Sequence, residues 1–296
     1  MPLIKYRDVK FHKSTLLQIQ MANAIITEYQ EQGFDLTLRQ LYYQFVSRDI
    51  IPNTLRAYKQ LGAVVNDARL AGLIDWNAIV DRTRFLRALP HWDSPADICR
   101  AGAQQFRIDR WANQRYRPEV WIEKDALVGV ISQVCNALSV PFFSCRGYTS
   151  QSEMWAAAQR LESYGDQTPV IFHFGDHDPS GLDMTRDITD RLEMFMGGLR
   201  VERLALNYDQ VLQYKPPPNP AKTTDARAKA YIKEFGHESW ELDALSPTAL
   251  AALIQGEIEA LQDKTIWKAD ARTEKNGREE LASVAGDWRK AVDAVA

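Results

Sequence analysis

Between residues 119 and 206, four short apolar runs alternate with stretches of helical periodicity. The runs are 119-EVWI-122, 140-VPFFS-144, 169-PVIFHF-174 and 199-LRVERLAL-206, and the helical stretches lie at 125–138, 151–164 and 180–196. Runs this short and apolar read as strands buried on both faces. Strands that alternate with helices predict a mostly parallel sheet with helices on each side. The centre of the chain is therefore expected to be an α/β, Rossmann-like unit, and ligands of such sheets bind beyond the carboxyl ends of the strands.

Two of these strands run into acids. Val120-Trp121-Ile122 leads to Glu123, and the run ending at Phe174 passes through Gly175 to Asp176 and Asp178. Both strand ends are expected to open onto one crevice, where three carboxylates would repel one another unless a divalent cation kept them ionised. Oxygen-only donors select magnesium or manganese over zinc. In this reading Glu123, Asp176 and Asp178 hold the metal, with Glu123 alternatively the general acid or base. A competing reading makes 176-DHD-178 a surface turn in which Asp178 caps a helix opened by Pro179. Lys124 either neutralises a phosphate oxygen in the crevice or pairs with Asp125 or Asp178. His177 falls on the opposite side of an extended segment from its neighbours and is not counted as a ligand. Gly147 is expected to permit a tight turn.

Ahead of the sheet the period is helical. Residues 14–32 predict a helix, capped by Ser14 or Thr15 and stopped by Gly33. A second follows Thr37 and ends near Asp49, and a third runs from Asn53 or Thr54 to about Leu73. The extended, basic 74-IDWNAIVDRTR-84 is the expected wing, and three helices followed by a wing make a winged-helix arrangement. The division is then a winged-helix domain at 1–88, a connector at 89–118 with a helix near 95–108, a sheet domain at 119–225, and a helical extension at 226–296. That extension carries helices near 225–235, 246–262 and 277–294.

On the second helix, Tyr42 shares the apolar stripe with Leu38, Leu41, Phe45 and Val46, whereas Tyr43 is turned about 100° away. Arg39 lies one turn before Tyr43. A guanidinium beside a phenol suits phosphoryl chemistry, because it can grip a phosphate oxygen and stabilise the phenolate that a pKa of about 10 disfavours. Tyr43 is therefore the candidate nucleophile and Arg39 the candidate phosphate clamp, set against the plainer reading of an exposed or interdomain tyrosine with a solvated partner. Arg56, Lys59 and Arg69 on the third helix, and Arg82, Arg84 and Arg87 after it, are candidate phosphate contacts, as is Lys124.

The net charge of −3 hides an asymmetry: residues 1–117 carry 17 Lys and Arg against 11 Asp and Glu, leaving 19 against 28 in residues 118–296. A basic nucleic-acid-binding half joined to an acidic, metal-binding half would show this contrast. Cys99, Cys135 and Cys145 are odd in number and lack CxxC spacing, which argues against a disulfide framework or a zinc site. No apolar run is long enough to span a bilayer and the N-terminus lacks the apolar core of a signal peptide, so no membrane partner and a cytoplasmic location are expected.

Three segments, 119-EVWIEKDAL-127, 145-CRGYTSQSE-153 and 171-IFHFGDHDPSG-181, resemble in order the Glu strand, glycine turn and Asp-x-Asp strand of Toprim proteins. Within them, the chain resembles the A subunit of DNA topoisomerase VI and the related meiotic double-strand-break proteins. The likeness extends back to 37-TLRQLYYQFVSRD-49, similar to that family's Arg-x-x-Tyr-Tyr helix, and forward to 203-RLALNYDQVLQYKPPPNPAK-222. It implies magnesium-dependent attack of the second tyrosine, here Tyr43, on DNA. The product would be a 5′-phosphotyrosyl link, in a homodimer that sets each tyrosine near its partner's metal site. The chain departs from the family in being shorter, with nothing resembling the ATPase needed for strand passage, which leaves a stand-alone relative or a separate ATPase subunit open. Two rivals stand beside the transesterase: a Toprim nuclease using metal-activated water, and a non-catalytic DNA-binding or dimerisation module.

Overall fold

The computed structural model describes residues 3–80 and 89–293. Its N-terminal part is helical: α1 (Lys13–Glu31), α2 (Leu38–Ser47) and α3 (Leu55–Leu70). Local chemistry sets their starts. Thr37 caps α2 in a capping box with Gln40, and the Thr54 hydroxyl accepts from the Ala57 N–H at the start of α3. For α1 the cap is His12, without a side-chain bond, not Ser14 or Thr15. The expected wing does not form among the described residues. Residues 71–78 turn, and one isolated parallel bridge joins Ile79 to Leu36. The rest of that segment, with Arg82, Arg84 and Arg87, lies outside the described residues.

After α4 (Pro95–Gln105) the chain enters the alternating region: β1 (Tyr116–Ile122), α5 (Val128–Ala137), β2 (Phe142–Ser144), α6 (Gln151–Glu162), β3 (Thr168–Phe174), α7 (Pro179–Phe195) and β4 (Arg200–Ala205). The strands form one four-stranded sheet in the order β2-β1-β3-β4, parallel throughout. Alternation divides its two faces. Val120, Ile122, Val170, Phe172 and Phe174 face a core shared with Ile131 and Cys135 of α5, and that core is continuous with α1, α2 and α3. Trp121 and Ile171 face the other way, onto Met154, Ala158 and Leu161 of α6 and Ile188 and Leu192 of α7.

The remaining elements are α8 (Tyr208–Tyr214), β5 (Asn219–Pro220), α9 (Ala228–Phe235), β6 (Glu238–Ser239), α10 (Pro247–Leu261), α11 (Lys264–Gly286) and α12 (Trp288–Asp293). The last long helix thus starts at Lys264, well before the expected residue 277. Residues expected to trail from the sheet return to it. Ile254 and Ile258 of α10 are fully buried in the core on the α5 side, and α11 packs along α4. Between β6 and α10, the segment at 240–245 crosses the carboxyl ends of β1 and β3. Its place is set by an antiparallel bridge of Trp240 to His177, with N–H to O distances of 2.8 and 2.9 Å.

Candidate functional site: a charged network joining Tyr43 to the strand-end acids

The register of β1 against β3 pairs Ile122 with Phe174, so the next residues, Glu123 and the 175–178 loop, leave the sheet side by side. Glu123 Oε2 accepts the Asp176 N–H at 2.9 Å. Asp176 Oδ1 in turn accepts the N–H of Leu242 at 2.8 Å. Asp178 caps α7: its Oδ1 accepts from the Gly181 N–H at 2.6 Å and the Ser180 hydroxyl at 2.9 Å, and Pro179 opens the helix. The capping role considered for Asp178 is therefore real, and it leaves Oδ2 facing Lys222 at 3.8 Å. Gly181 is required by close approach, because a Cβ there would stand 2.1 Å from the Asp176 carbonyl oxygen. Beneath the loop, Arg203 of β4 donates to the carbonyls of Gly175, Asp176, Gly181 and Leu206.

The three acids feel one another. Burial raises the Glu123 carboxyl above the usual range; the Asp176 N–H and Lys124 oppose this, and Asp178 adds to it. Burial pushes Asp176 up to about 7, with Lys124 pulling it down and Glu123 and Glu241 pushing it up. Among the described residues, no three His, Cys, Asp or Glu side chains stand at a spacing that holds a metal ion.

Lys124 pairs with neither Asp125 nor Asp178. Its ammonium is 2.8 Å from Asp176 Oδ1 and 3.4 Å from Asp243 Oδ1, and it donates to Glu241 Oε2. Asp125 instead pairs with Arg146 at 3.0 Å. Burial disfavours the Lys124 charge, but Asp243, Asp176 and Glu241 outweigh it and hold the group firmly protonated.

Glu241 and Asp243 escaped the sequence reading, and they complete the connection to α2. Arg39 Nε lies 2.5 Å from Asp243 Oδ2 and Nη2 lies 2.7 Å from Glu241 Oε2. The same Nη2 reaches the Tyr43 hydroxyl at 3.4 Å, so the i, i+4 pairing expected of Arg39 and Tyr43 is present. Tyr42 is buried as expected. Tyr43, off the apolar stripe of its own helix, is buried too, at 4% exposure, where α2 packs on residues 242–244. Burial, with Asp243 and Glu241, pushes its phenol up to about 12 against the pull of Arg39 and Lys124. A continuous path of polar contacts thus runs within one chain from Tyr43 through Arg39, Glu241 and Asp243, and Lys124 to Asp176 and Glu123. The signal available in sequence was 241-ELD-243, which repeats the acid-x-acid spacing of 176-DHD-178; nothing local linked it to a strand end.

The other candidates divide. Arg56 and Lys59 are exposed on α3. Arg69 is engaged: it donates to the Trp76 carbonyl at 2.6 Å and stacks over that indole. His177 sits away from the acids in a box formed by Tyr208, Tyr231, Phe235 and Trp240. Gly147 has φ +89°, in keeping with its expected turn. No helix among the described residues is long and apolar enough to cross a membrane. Comparison with known proteins gives no matching family model and no matching curated relative.

Proposed function

We propose that the chain cleaves DNA strands by transesterification, with Tyr43 as nucleophile and Arg39 as phosphate clamp. The observation that carries this reading is the unbroken polar path from the Tyr43 hydroxyl to the strand-end carboxylates. A phenol, two cations and several acids on one path are the components phosphoryl transfer needs. The phenol oxygen attacks phosphorus, its proton leaves to a carboxylate of the cluster or to water, and the bond from phosphorus to the 3′-oxygen breaks. A 5′-phosphotyrosyl link and, after protonation, a 3′-hydroxyl result.

Glu123, Asp176 and Asp178 supply the oxygen donors that magnesium or manganese takes, although as they stand their spacing does not close a metal site. All are oxygen donors, burial and mutual repulsion raise Glu123 and Asp176, and Asp178 Oδ2 is not used in its helix cap. Bound there, the cation would supply charge stabilisation for the phosphoryl oxygens. The protein's own part is orientation: Arg203 fixes the loop that carries two of the acids, and Asp243 and Glu241 hold Arg39 against Tyr43. Arg56 and Lys59 offer exposed phosphate contacts near the start of α3.

The test is incubation with supercoiled DNA and magnesium, followed by denaturation and recovery of protein attached to 5′ ends. Wild type gives the adduct, and Tyr43→Phe and Asp176→Asn lose it. A second reading, hydrolysis by activated water, draws on the burial of Tyr43 and its raised phenol. Undiminished cleavage by Tyr43→Phe would select it.

A further inference from the structure

Beside Arg39, on the side away from Lys124, α2, the start of α3 and the 218–220 segment enclose a cleft of about 200 Å³. Whole small-molecule ligands occupy roughly 300–1,000 Å³, so this space suits a fragment the size of one base with its sugar. Its walls include Tyr42, Tyr43 and Tyr58, and Tyr42 packs edge to face against each of the other two with centroids 5.3 Å apart. Its polar floor is prearranged. The Tyr42 hydroxyl donates to Asn53 Oδ1 at 2.9 Å, and Asn53 Nδ2 donates to the Pro218 carbonyl at 2.9 Å and to Asn219 Oδ1 at 2.8 Å.

Asn53 is thereby fully committed, while the amide nitrogen of Asn219 has no hydrogen-bond partner among the described residues. Arg39 contributes a second open donor. Its Nε and Nη2 are held by Asp243 and Glu241, and its side chain is still 44% exposed, with Nη1 unengaged among the described residues. Aromatic faces, a free amide and a free guanidinium N–H are what recognise a base joined to a phosphate.

Access is the second half of the argument. Tyr43 lines this cleft yet is only 4% exposed. The backbone of an intact duplex is convex and its bases are stacked inside. A nucleotide that has left the stack can follow such a cleft inwards, whereas one held in an intact duplex would first have to be unstacked. We propose that this cleft takes one unstacked nucleotide, so that the substrate is DNA with an unpaired nucleotide, single-stranded or locally opened, rather than intact duplex. The choice of DNA rests on the cleavage reading above; the preference for an unpaired nucleotide rests on the cleft.

The test is binding in EDTA, so that cleavage is not required. Three fluorescein-labelled probes are compared by anisotropy: a short single strand, its perfect duplex, and the duplex carrying one unpaired 2-aminopurine nucleotide. The single strand and the bulged duplex are expected to bind about ten-fold more tightly than the perfect duplex, the scale of one base-aromatic stack. The 2-aminopurine emission should fall as it stacks. Tyr58→Leu should abolish the preference. So should Asn219→Asp, which keeps the acceptor for Asn53 but puts a negative charge in the cleft, the readout being the ratio of single-strand to duplex affinity. Equal or tighter binding of the perfect duplex, or a preference that survives both substitutions, overturns the inference. Neither result touches the covalent-adduct assay, and absence of the adduct would leave this binding preference to be judged separately.

Discussion

The acids on the sheet side of the network are tied to main chain, whereas the Arg39–Tyr43 pair on α2 is tied only to other side chains. Glu123, Asp176 and Asp178 each accept a backbone N–H, and Arg203 fastens the loop between them through four carbonyls. Arg39 has Asp243, Glu241 and Tyr43, all side-chain partners, and is nearly half exposed. Main-chain bonds are fixed once the sheet forms, while a side-chain ion pair with one partner reaching solvent, as Arg39 does, exchanges more readily. The sheet side therefore behaves as a fixed scaffold, and under the proposed function the α2 side is the one where a phosphate would compete.

The sharpest way to break that contrast is Arg203→Met. It leaves the Asp176 carbonyl without its Arg203 donor, while Gly175 keeps the Leu206 N–H, and it removes a buried cation from beside Glu123 and Asp176; a loss of roughly 3 kcal/mol of stability is expected. Urea unfolding measures it, and a loss below about 1 kcal/mol would show that the loop does not depend on this guanidinium. His173, the register partner of Arg203 on the neighbouring strand β3, adds a pH dependence. It is fully buried, and burial, then Arg203, lowers its imidazole to about 3. The folded state keeps it neutral while the unfolded chain takes up a proton below about 6.5, so its contribution to stability is complete above that pH and is lost as pH falls towards 3. His173→Leu should flatten the acid limb by up to about 1.4 kcal/mol per pH unit. Thr185, its partner, keeps its bond from Arg203. Identical acid limbs for the two proteins would rule this out.

On the α2 side the effects are smaller. A double-mutant cycle of Arg39→Met and Asp243→Asn should give a coupling of roughly 1–2 kcal/mol, since Lys124 remains beside Asp243 when Arg39 is gone. Coupling as large as the Arg203 loss would erase the distinction between the two sides.

The same distinction explains what could be read in advance. Strand runs ending in Glu123 and Asp176 were legible, because hydrophobic period and strand direction are local properties and the parallel register follows from them. The Arg39–Tyr43 pair was legible for the same reason: i, i+4 spacing on a helix needs no tertiary information. Glu241 and Asp243 were not, because the bridge between His177 and Trp240 that brings them to the site joins residues far apart in sequence. Without those two, the ion-pair alternative for Lys124 pointed to Asp125 or Asp178 instead of Asp176, Glu241 and Asp243. The wing was expected from a basic extended segment, but Trp76 and Arg69 bind each other there and the described residues turn instead.

The smallest stability change and the most telling functional one belong to Glu241→Gln. Glu241 is shared by Arg39 and Lys124, so under the proposed function its carboxylate competes with a phosphate for both cations. Its side chain is 24% exposed and both cations keep Asp243, so a cost under about 1 kcal/mol is expected. Removing one competing negative charge should strengthen binding of single-stranded DNA in EDTA several-fold at low salt. It should also steepen the dependence of log K on log salt by about one. Anisotropy titrations across a salt series measure both, with Glu238→Gln, an exposed residue outside the network, as the control for charge alone. A parallel shift of both variants would mean that general repulsion, not occupation of Arg39 and Lys124, limits binding. A steeper slope in Glu241→Gln alone would mark the α2 side as the one that opens to DNA.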